Sequence, residues 1–235
     1  MTSMEYAPLL EFSDQKYRTD VRLGFVRKVY GILSAQLALT SIFVFIGTVS
    51  TSFQHFVAEN PSILLLALIV NIGTLLSLAC FSGLVNKVPT NYILLGIFTF
   101  CEAFIVACIC GFYDPTSVLI VAVMTLAVTL ALTAYAMTTK RDFSTKTGVM
   151  LVFLVAATMF AIFMPFLFHS RMVEVVISVV FIIIYGIYIV IDTQLILGSG
   201  KYSFDEEDYI IAALNIYIDI VGLFIYLLQL LGNKQ

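Results

Sequence analysis

The chain has 235 residues, of which 61% are hydrophobic and 11% are charged, and its formal net charge is −3. A soluble domain usually carries about 25% charged and roughly 45–50% apolar residues, so too little polar surface remains to cover a water-exposed body. The composition therefore excludes an ordinary soluble enzyme and indicates an integral membrane protein. Because the net charge is small and no basic patch is present, no nucleic-acid partner is expected.

Seven stretches are apolar enough to cross a bilayer, since a helix needs ~20 apolar residues to span the ~30 Å hydrocarbon layer. The runs are continuously apolar and do not alternate with period two, which favours an all-α membrane protein over a β-barrel. We predict one membrane domain over 29–231, between an N-terminal tail, 1–28, and a short C-terminal tail, 232–235. The predicted spans are 29–50, 63–84, 91–112, 116–137, 147–168, 173–196 and 209–231.

The basic residues predict the orientation of the chain. All but two of the 12 basic residues fall in the N-terminal tail or in the loops after spans two, four and six, the exceptions being Arg171 and Lys234. Because cytosolic loops carry an excess of Lys and Arg, we predict a cytosolic N-terminus. Seven crossings then place the C-terminus on the far side, and a re-entrant seventh segment would return it to the cytosol.

The four cysteines all lie inside apolar runs. This placement argues against a disulfide framework and against a zinc site, both of which use cysteines in polar loops. We therefore predict small packing residues and no cofactor. The four are Cys80, Cys101, Cys108 and Cys110.

Three acidic residues lie well inside the predicted spans, in which no Lys or Arg is found: Glu102, Asp192 and Asp219. An ionisable group near the bilayer centre costs roughly 2.5–3.5 kcal/mol on insertion scales. Such groups persist only where they face a protein interior or water, and without a basic partner they tend to hold a proton or attract a cation. The pattern suggests a proton or cation pathway. For each acid alone, a protonated side chain hydrogen-bonded to a neighbouring helix is the alternative.

Asp192 and Asp219 lie on consecutive antiparallel spans. At 1.5 Å per residue, Asp192 is ~7 Å from the cytosolic end of span six, and Asp219 is ~15 Å into span seven. The two carboxyl groups can therefore approach each other, and two close carboxyls would share a proton and titrate as a unit. We predict that the pair is a pH sensor. Because calcium prefers several oxygen ligands, the pair is also a candidate calcium site.

Polar residues extend from this pair along one face of each helix. Asn215 falls on the Asp219 face of span seven, and Tyr185 and Tyr188 fall on the Asp192 face of span six, where their phenols can reach a carboxylate. Aromatic residues at this spacing are also consistent with simple packing. We include Asn215 and Glu102 with Asp219 in the predicted ion pathway.

An acidic run, Asp205 to Asp208, precedes span seven. Ser203 as N-cap, with Glu206 at the capping-box position, predicts a helix start in which the acids face the positive end of the dipole. The same run can form a mouth that attracts cations. Both interpretations remain open.

Several motifs resemble the transmembrane Bax inhibitor motif family, in its Lifeguard branch and nearest to the Golgi anti-apoptotic protein group. The resemblance covers nearly the whole chain, and the motifs agree in order and spacing. They are Arg22–Tyr30, Phe98–Ala103, Lys140–Ser144, Ile191–Gln194, Glu206–Tyr209 and Ala212–Ile220.

This resemblance implies a seven-helix fold in which the last helix is central and the other six surround it. It also implies a pH-sensitive calcium leak from intracellular stores, in the Golgi or endoplasmic reticulum, and inhibition of apoptosis. Asp192 and Asp219 match the family's two-aspartate sensor, and Glu207 matches an acid linked with ion passage. Prokaryotic members carry a latch arginine near the cytosolic end of span two, where Lys87 is the nearest match. Lysine cannot make the two parallel hydrogen bonds to one carboxylate that arginine makes.

Calcium, protons and lipid are thus the expected partners, and other functions remain possible. A non-conducting protein that binds membrane proteins of cell-death signalling fits the same residues, as does a proton-coupled antiporter. Intramembrane aspartyl proteases also place two aspartates on helices six and seven. Their second helix carries Gly-x-Gly-Asp, whereas Ile216, Tyr217 and Ile218 precede Asp219 here, so we do not expect an enzyme.

Overall fold

A computed structural model describes residues 3–81, 83, 87–167 and 170–234, with side chains described from Tyr17 onward except at 82, 84–86 and 162–169. Over these residues the chain is helical, with a short 3-10 helix at Ser144–Lys146 and no β-strand. The α-helices are α1, Ser3–Val49; α2, Thr51–Glu59; α3, Pro61–Cys80; α4, Thr90–Cys110; α5, Pro115–Thr138; α6, Thr147–Leu167; α7, Arg171–Leu197; and α8, Tyr209–Leu231.

Seven of these helices are long and apolar enough to cross a membrane, so the predicted seven-span α-helical membrane protein is confirmed. The predicted bounds agree within a few residues except at the first span. There the helix begins at Ser3 and continues through the predicted tail, and the segment long and apolar enough to span is Tyr17–Val49. The short helix α2 was not predicted. Residues 84, 168 and 235, at the ends of predicted segments, lie outside the described residues.

The last helix, α8, is central, as predicted. It packs most extensively against α7 and also contacts α1, α5 and α4. Helices α3 and α6 lie further out, α3 against α4 and α6 against α7. Most side chains of α8 are buried, whereas none of the described side chains of α6, at 147–161, is buried. The core is therefore built around α8.

Contacts at the two ends of α8 define the ends of the bundle. We call the end at Tyr209 proximal and the end at Leu231 distal. At the proximal end, the ammonium of Lys28 lies 4.9 Å from the ring centroid of Tyr209, and the Tyr92 ring lies 6.0 Å away from that of Tyr209. At the distal end, Lys234 pairs with Tyr113 as an isolated antiparallel bridge. Since α8 is one unbroken helix of 23 residues, it runs from one end of the bundle to the other.

The predicted capping of α8 by Ser203 and Glu206 is wrong. The helix begins at Tyr209, and its N-cap residue, Asp208, makes no side-chain capping hydrogen bond. The chain before it is held elsewhere, because the Phe204 amide donates to the Leu195 carbonyl of α7 at 3.2 Å and the Asp208 amide closes a turn on the Asp205 carbonyl. Because of these contacts, the helix begins only after this turn, at Tyr209.

Candidate functional site

Asp192 and Asp219 face each other in the core, between α7 and α8. Both are buried, with 4% and 6% of their surface exposed. Their side chains interact electrostatically across this contact. Two carboxyl groups can hydrogen-bond each other only when one of them carries a proton. The structure thus brings the two residues to one buried contact, and their role as a sensor stays a prediction.

One oxygen of this pair lacks a partner. The Asp219 Oδ2 atom is buried and makes no hydrogen bond, and within the described part of the chain neither carboxyl forms an ion pair. A buried acceptor without a partner costs ~1–3 kcal/mol. The pair therefore retains an acceptor that a proton donor or a water molecule can satisfy.

Tyr185 and Tyr188 lie beside the pair, and their contacts differ from the expected ones. The Tyr188 hydroxyl is buried without a hydrogen-bond partner, although the residue interacts electrostatically with both aspartates. Tyr185 packs its ring on Gly222, where an added Cβ would lie 2.5 Å from the ring. Glycine at this position lets α7 approach α8 closely, as small residues do in membrane helix pairs.

Glu102 lies on a different interface, between α4 and α3. Its carboxylate accepts a hydrogen bond of 2.9 Å from the Asn71 side chain, which also donates to the Phe98 carbonyl at 3.4 Å. Tyr185 interacts electrostatically with both Asp219 and Glu102. Along α4, Glu102 is ~18 Å from the proximal end, which is close to the depth of Asp219.

Further buried polar contacts join α1 to this region, and the sequence analysis missed them. The Gln36 side chain donates to Thr99 at 2.9 Å, and Thr40 and Tyr217 share a hydrogen bond of 2.8 Å. The Gln36 Oε1 atom is buried without a partner. A lone amide inside an apolar window is the signal that identifies such a residue, since it too must find a partner in hydrocarbon.

The remaining predicted site residues lie apart from the pair. Asn215 is partly buried one turn before Asp219. Glu207 is exposed in the turn before α8, ~18 Å from Asp219 along the helix axis. Lys87 is exposed, and its backbone carbonyl accepts a hydrogen bond of 3.0 Å from the Asn91 amide. Its latch role stays a prediction.

The described residues contain no group of three or more His, Cys, Asp or Glu side chains that could hold a metal ion. The aspartate pair supplies two carboxylates, whereas Ca²⁺ takes 6–8 oxygen ligands. A calcium ion at the pair would therefore keep several water ligands. All four cysteines are free, and three of them are buried.

The fold and the site define a multi-pass α-helical membrane protein whose central helix carries a buried, paired carboxyl group. The chain belongs to the Bax inhibitor family: the Bax1-I family model, described as an inhibitor of apoptosis-promoting Bax1, matches residues 22–235. It is 33% identical to human Protein lifeguard 3 over 231 residues, 96% of this chain and 72% of that protein. It is 34% identical to mouse Protein lifeguard 4 over 217 residues, 92% of this chain and 88% of that protein. The predicted family and its Lifeguard branch are confirmed.

Proposed function

We propose that this protein is a pH-sensitive calcium leak of an intracellular membrane, in which Asp192 and Asp219 are the proton sensor. By setting the calcium content of the store it inhibits apoptosis, in keeping with the description of its family. The observation that carries this proposal is the buried carboxyl pair in the central helix contact, with an oxygen that has no partner.

The pair supports pH sensitivity through simple electrostatics. While one proton is shared, the two carboxyl groups attract and hold α7 against α8. When that proton is lost, two negative charges lie in a medium of low dielectric constant and repel each other strongly. Separation of the helices, or entry of a cation, relieves the repulsion. We therefore expect calcium efflux to increase as the pH rises.

Glu102 and Asn215 extend the proposed pathway beyond the pair. Asn215 lies on the proximal side of Asp219, and Glu102 lies at a similar depth across Tyr185. Glu207, exposed at the proximal end, is placed to concentrate cations there. The positive-inside pattern supports a cytosolic location for this end and for the N-terminus.

The decisive experiment measures calcium efflux from liposomes that contain only the purified protein, at two pH values. We expect Asp219→Asn to abolish the difference between the two values, because an amide can hydrogen-bond Asp192 without a shared proton. Asp20→Asn, at an exposed position of α1, is the matched control and should behave as the wild type. Glu102→Gln should slow efflux while keeping its pH dependence.

The outcomes separate the alternative functions. A pH response that persists in Asp219→Asn would contradict the sensor assignment. Absence of efflux from the wild type would favour a non-conducting protein that acts through membrane partners, and exchange of calcium against protons would favour an antiporter. Cleavage of a transmembrane peptide, inhibited by a transition-state inhibitor of aspartyl proteases, would reveal an enzyme.

The cellular part of the proposal is tested in cells that express the tagged protein. We expect it to colocalise with Golgi or endoplasmic reticulum markers and to lower the store calcium released by an ionophore. Asp219→Asn should lose the pH dependence of this store effect and the protection against apoptotic stimuli together. Protection that persists without any effect on store calcium would contradict the link between the two.

A further inference from the structure

The last turn of α7 is held by contacts from three other parts of the chain. It begins one residue after Asp192 and ends at Gly198, which caps the helix in the left-handed conformation with φ of +68°. Since Asp192 is on the same rigid helix, any contact that fixes this turn also fixes the position of its carboxyl group relative to Asp219.

The first contact comes from α1. The guanidinium group of Arg22 donates to the carbonyls of Leu195, in the last turn of α7, and Phe204, in the following loop, the latter at 2.7 Å. It also packs on Gly198, where an added Cβ would lie 3.0 Å from its Nε atom. One residue of α1 thus binds both the end of α7 and the loop that leads to α8. Two of the acids in that loop, Asp205 and Glu206, interact favourably with its charge.

The second contact is made by Gln194, two residues after Asp192. Its buried side-chain amide donates to the Arg141 carbonyl at 2.8 Å and accepts from the Phe143 amide at 2.8 Å. Both groups belong to the backbone of the loop between α5 and α6. This two-point attachment fixes the rotation of α7 relative to that loop.

The third contact joins the two loops directly. Asp142 accepts hydrogen bonds from the Ser144 hydroxyl at 2.6 Å and the Lys201 amide at 2.8 Å, and Ser144 accepts one from the Tyr202 amide at 3.2 Å. Gly200 passes close to this contact, with room for no side chain. The loops before α6 and before α8 are therefore one unit at the proximal end.

We propose that Arg22 and Gln194 are positioning residues, which together with Asp142 and Ser144 form a clamp on the last turn of α7 that keeps Asp192 against Asp219. Release of this clamp separates the two carboxyl groups and opens the proximal end of the pathway. The proposal rests on the proposed function only for the second step, because the first concerns geometry that can be measured without ion flux.

Among the described residues, Tyr185 and Tyr188 on α7 itself interact electrostatically with the pair. Tyr30 of α1 interacts with Thr193 in the clamped turn. Helix α5 has no charged residue. A change in the titration of the pair after a clamp substitution therefore reports a change in the distance between its members or in their burial.

The first measurement is hydrogen exchange of the detergent-solubilised protein, comparing Gln194→Met and Arg22→Gln with wild type and with the exposed control Arg27→Gln. We expect segments 139–146 and 198–208 to exchange faster together, on the order of tenfold, in each clamp variant. Arg22→Lys should restore part of the protection, since it keeps one donor. Faster exchange only in the segment bonded to the substituted residue would overturn the single clamp.

The second measurement is infrared titration of the carbonyl band of protonated carboxyl groups, with Asp219→Asn to assign the signal of the pair. We expect the shared-proton signal to be lost in Gln194→Met and kept in Arg27→Gln. An unchanged band in a variant whose loops exchange faster would overturn the positioning role. Calcium efflux then tests the second step. If the wild type conducts and Gln194→Met has the same efflux rate, the release mechanism is overturned. If the wild type does not conduct, that step and the proposed function are both overturned, while the geometric result stands on its own.

Discussion

The two halves of the central helix differ in what they bury. The proximal half, Tyr209–Asp219, contains the buried carboxyl group of Asp219 and the Tyr217 hydroxyl that bonds Thr40. The buried side chains of the distal half are all apolar and include Leu223, Phe224, Leu227 and Leu228. The change occurs at Gly222, where Tyr185 packs on the helix.

For the proposed leak, this difference predicts that the closed part of the pathway lies in the distal half. A cation at the carboxyl pair would have oxygen ligands. In the distal half it would meet only apolar side chains over about three turns of α8. The polar half contains the unpartnered Asp219 Oδ2 atom and is therefore the part that can change its bonding. In the proposed leak the apolar half would be the barrier, and conduction would require the distal contacts of α8 to separate as well.

The two ends of the bundle also differ, in the kind of contact that holds them. At the proximal end, side chains of Arg22 and Gln194 bind backbone groups of other elements. At the distal end the attachment includes backbone contacts, since the Asp114 amide donates to the Asn233 carbonyl at 2.9 Å. Removal of a side chain can therefore release the proximal contacts but leaves this backbone contact in place.

The boundary between the halves gives the largest expected effect. Gly222→Ala should destabilise the protein by about 1–3 kcal/mol, since the new methyl group overlaps the Tyr185 ring and forces α7 away from α8. The loss can be measured as a lower midpoint of unfolding in mixed micelles. Gly31→Ala, with nothing within 4 Å of the added Cβ, is the control and should not destabilise. Equal midpoints for both variants would contradict the close approach at Gly222.

The hydrogen bonds of the proximal half should each contribute less. Tyr217→Phe removes the bond to Thr40 and should cost about 0.6 kcal/mol, the average for side-chain hydrogen bonds between membrane helices. The same unfolding assay measures it, and Tyr226→Phe, at a partly buried ring that stacks on Phe181, is a matched control. A loss for Tyr217→Phe as large as that of Gly222→Ala would show that polar contacts dominate the packing of α8.

The proximal loops should be sensitive to acid. Hydrogen bonds from the Ser144 hydroxyl and the Lys201 amide lower the pKa of Asp142 below its usual value. The group therefore stabilises the folded loops above the ordinary Asp pKa, and this contribution is lost as the pH falls through the lowered value. We expect protease cleavage of the loops to increase below pH ~4. Asp142→Asn should show faster cleavage already at neutral pH and a weaker acid response.

The ion pair at the distal end gives the smallest expected effect. Lys234 and Glu174 are 3.9 Å apart and about half exposed, and such pairs contribute roughly 0.2–1 kcal/mol. Lys234→Ala should lower the unfolding midpoint only slightly at low salt and not at all at high salt, where the charges are screened. A large, salt-independent loss would mean that the distal end depends on side chains after all.

Hydropathy predicted the spans because it is a local property of the chain. The bounds of α8 agree with the predicted 209–231, and the antiparallel order of the last two helices was enough to bring Asp192 and Asp219 together. What remained unpredicted depends on contacts between distant segments. Arg22 was assigned to a polar tail, yet it binds groups 173 and 182 residues away. No local pattern specifies such a partner.

The same limit explains the capping error and the missed partner of Glu102. Ser203 and Glu206 have the spacing of a capping box, but tertiary hydrogen bonds of Phe204 keep that segment out of the helix. Asn71 lies 31 residues before Glu102 in the chain, and only the packing of α3 on α4 places its amide beside the carboxylate. An intramembrane amide indicates that a partner exists without identifying it.

The peripheral position of α6 has a practical consequence for handling the protein. With no described side chain buried, this helix has hydrocarbon tails as its main neighbours, whereas α8 is surrounded by protein. Short-chain detergents replace those tails and so alter the surroundings of α6 far more than those of α8. The choice of solubilising agent, and later the thickness of the bilayer used for reconstitution, will therefore act on the outer layer of the bundle first.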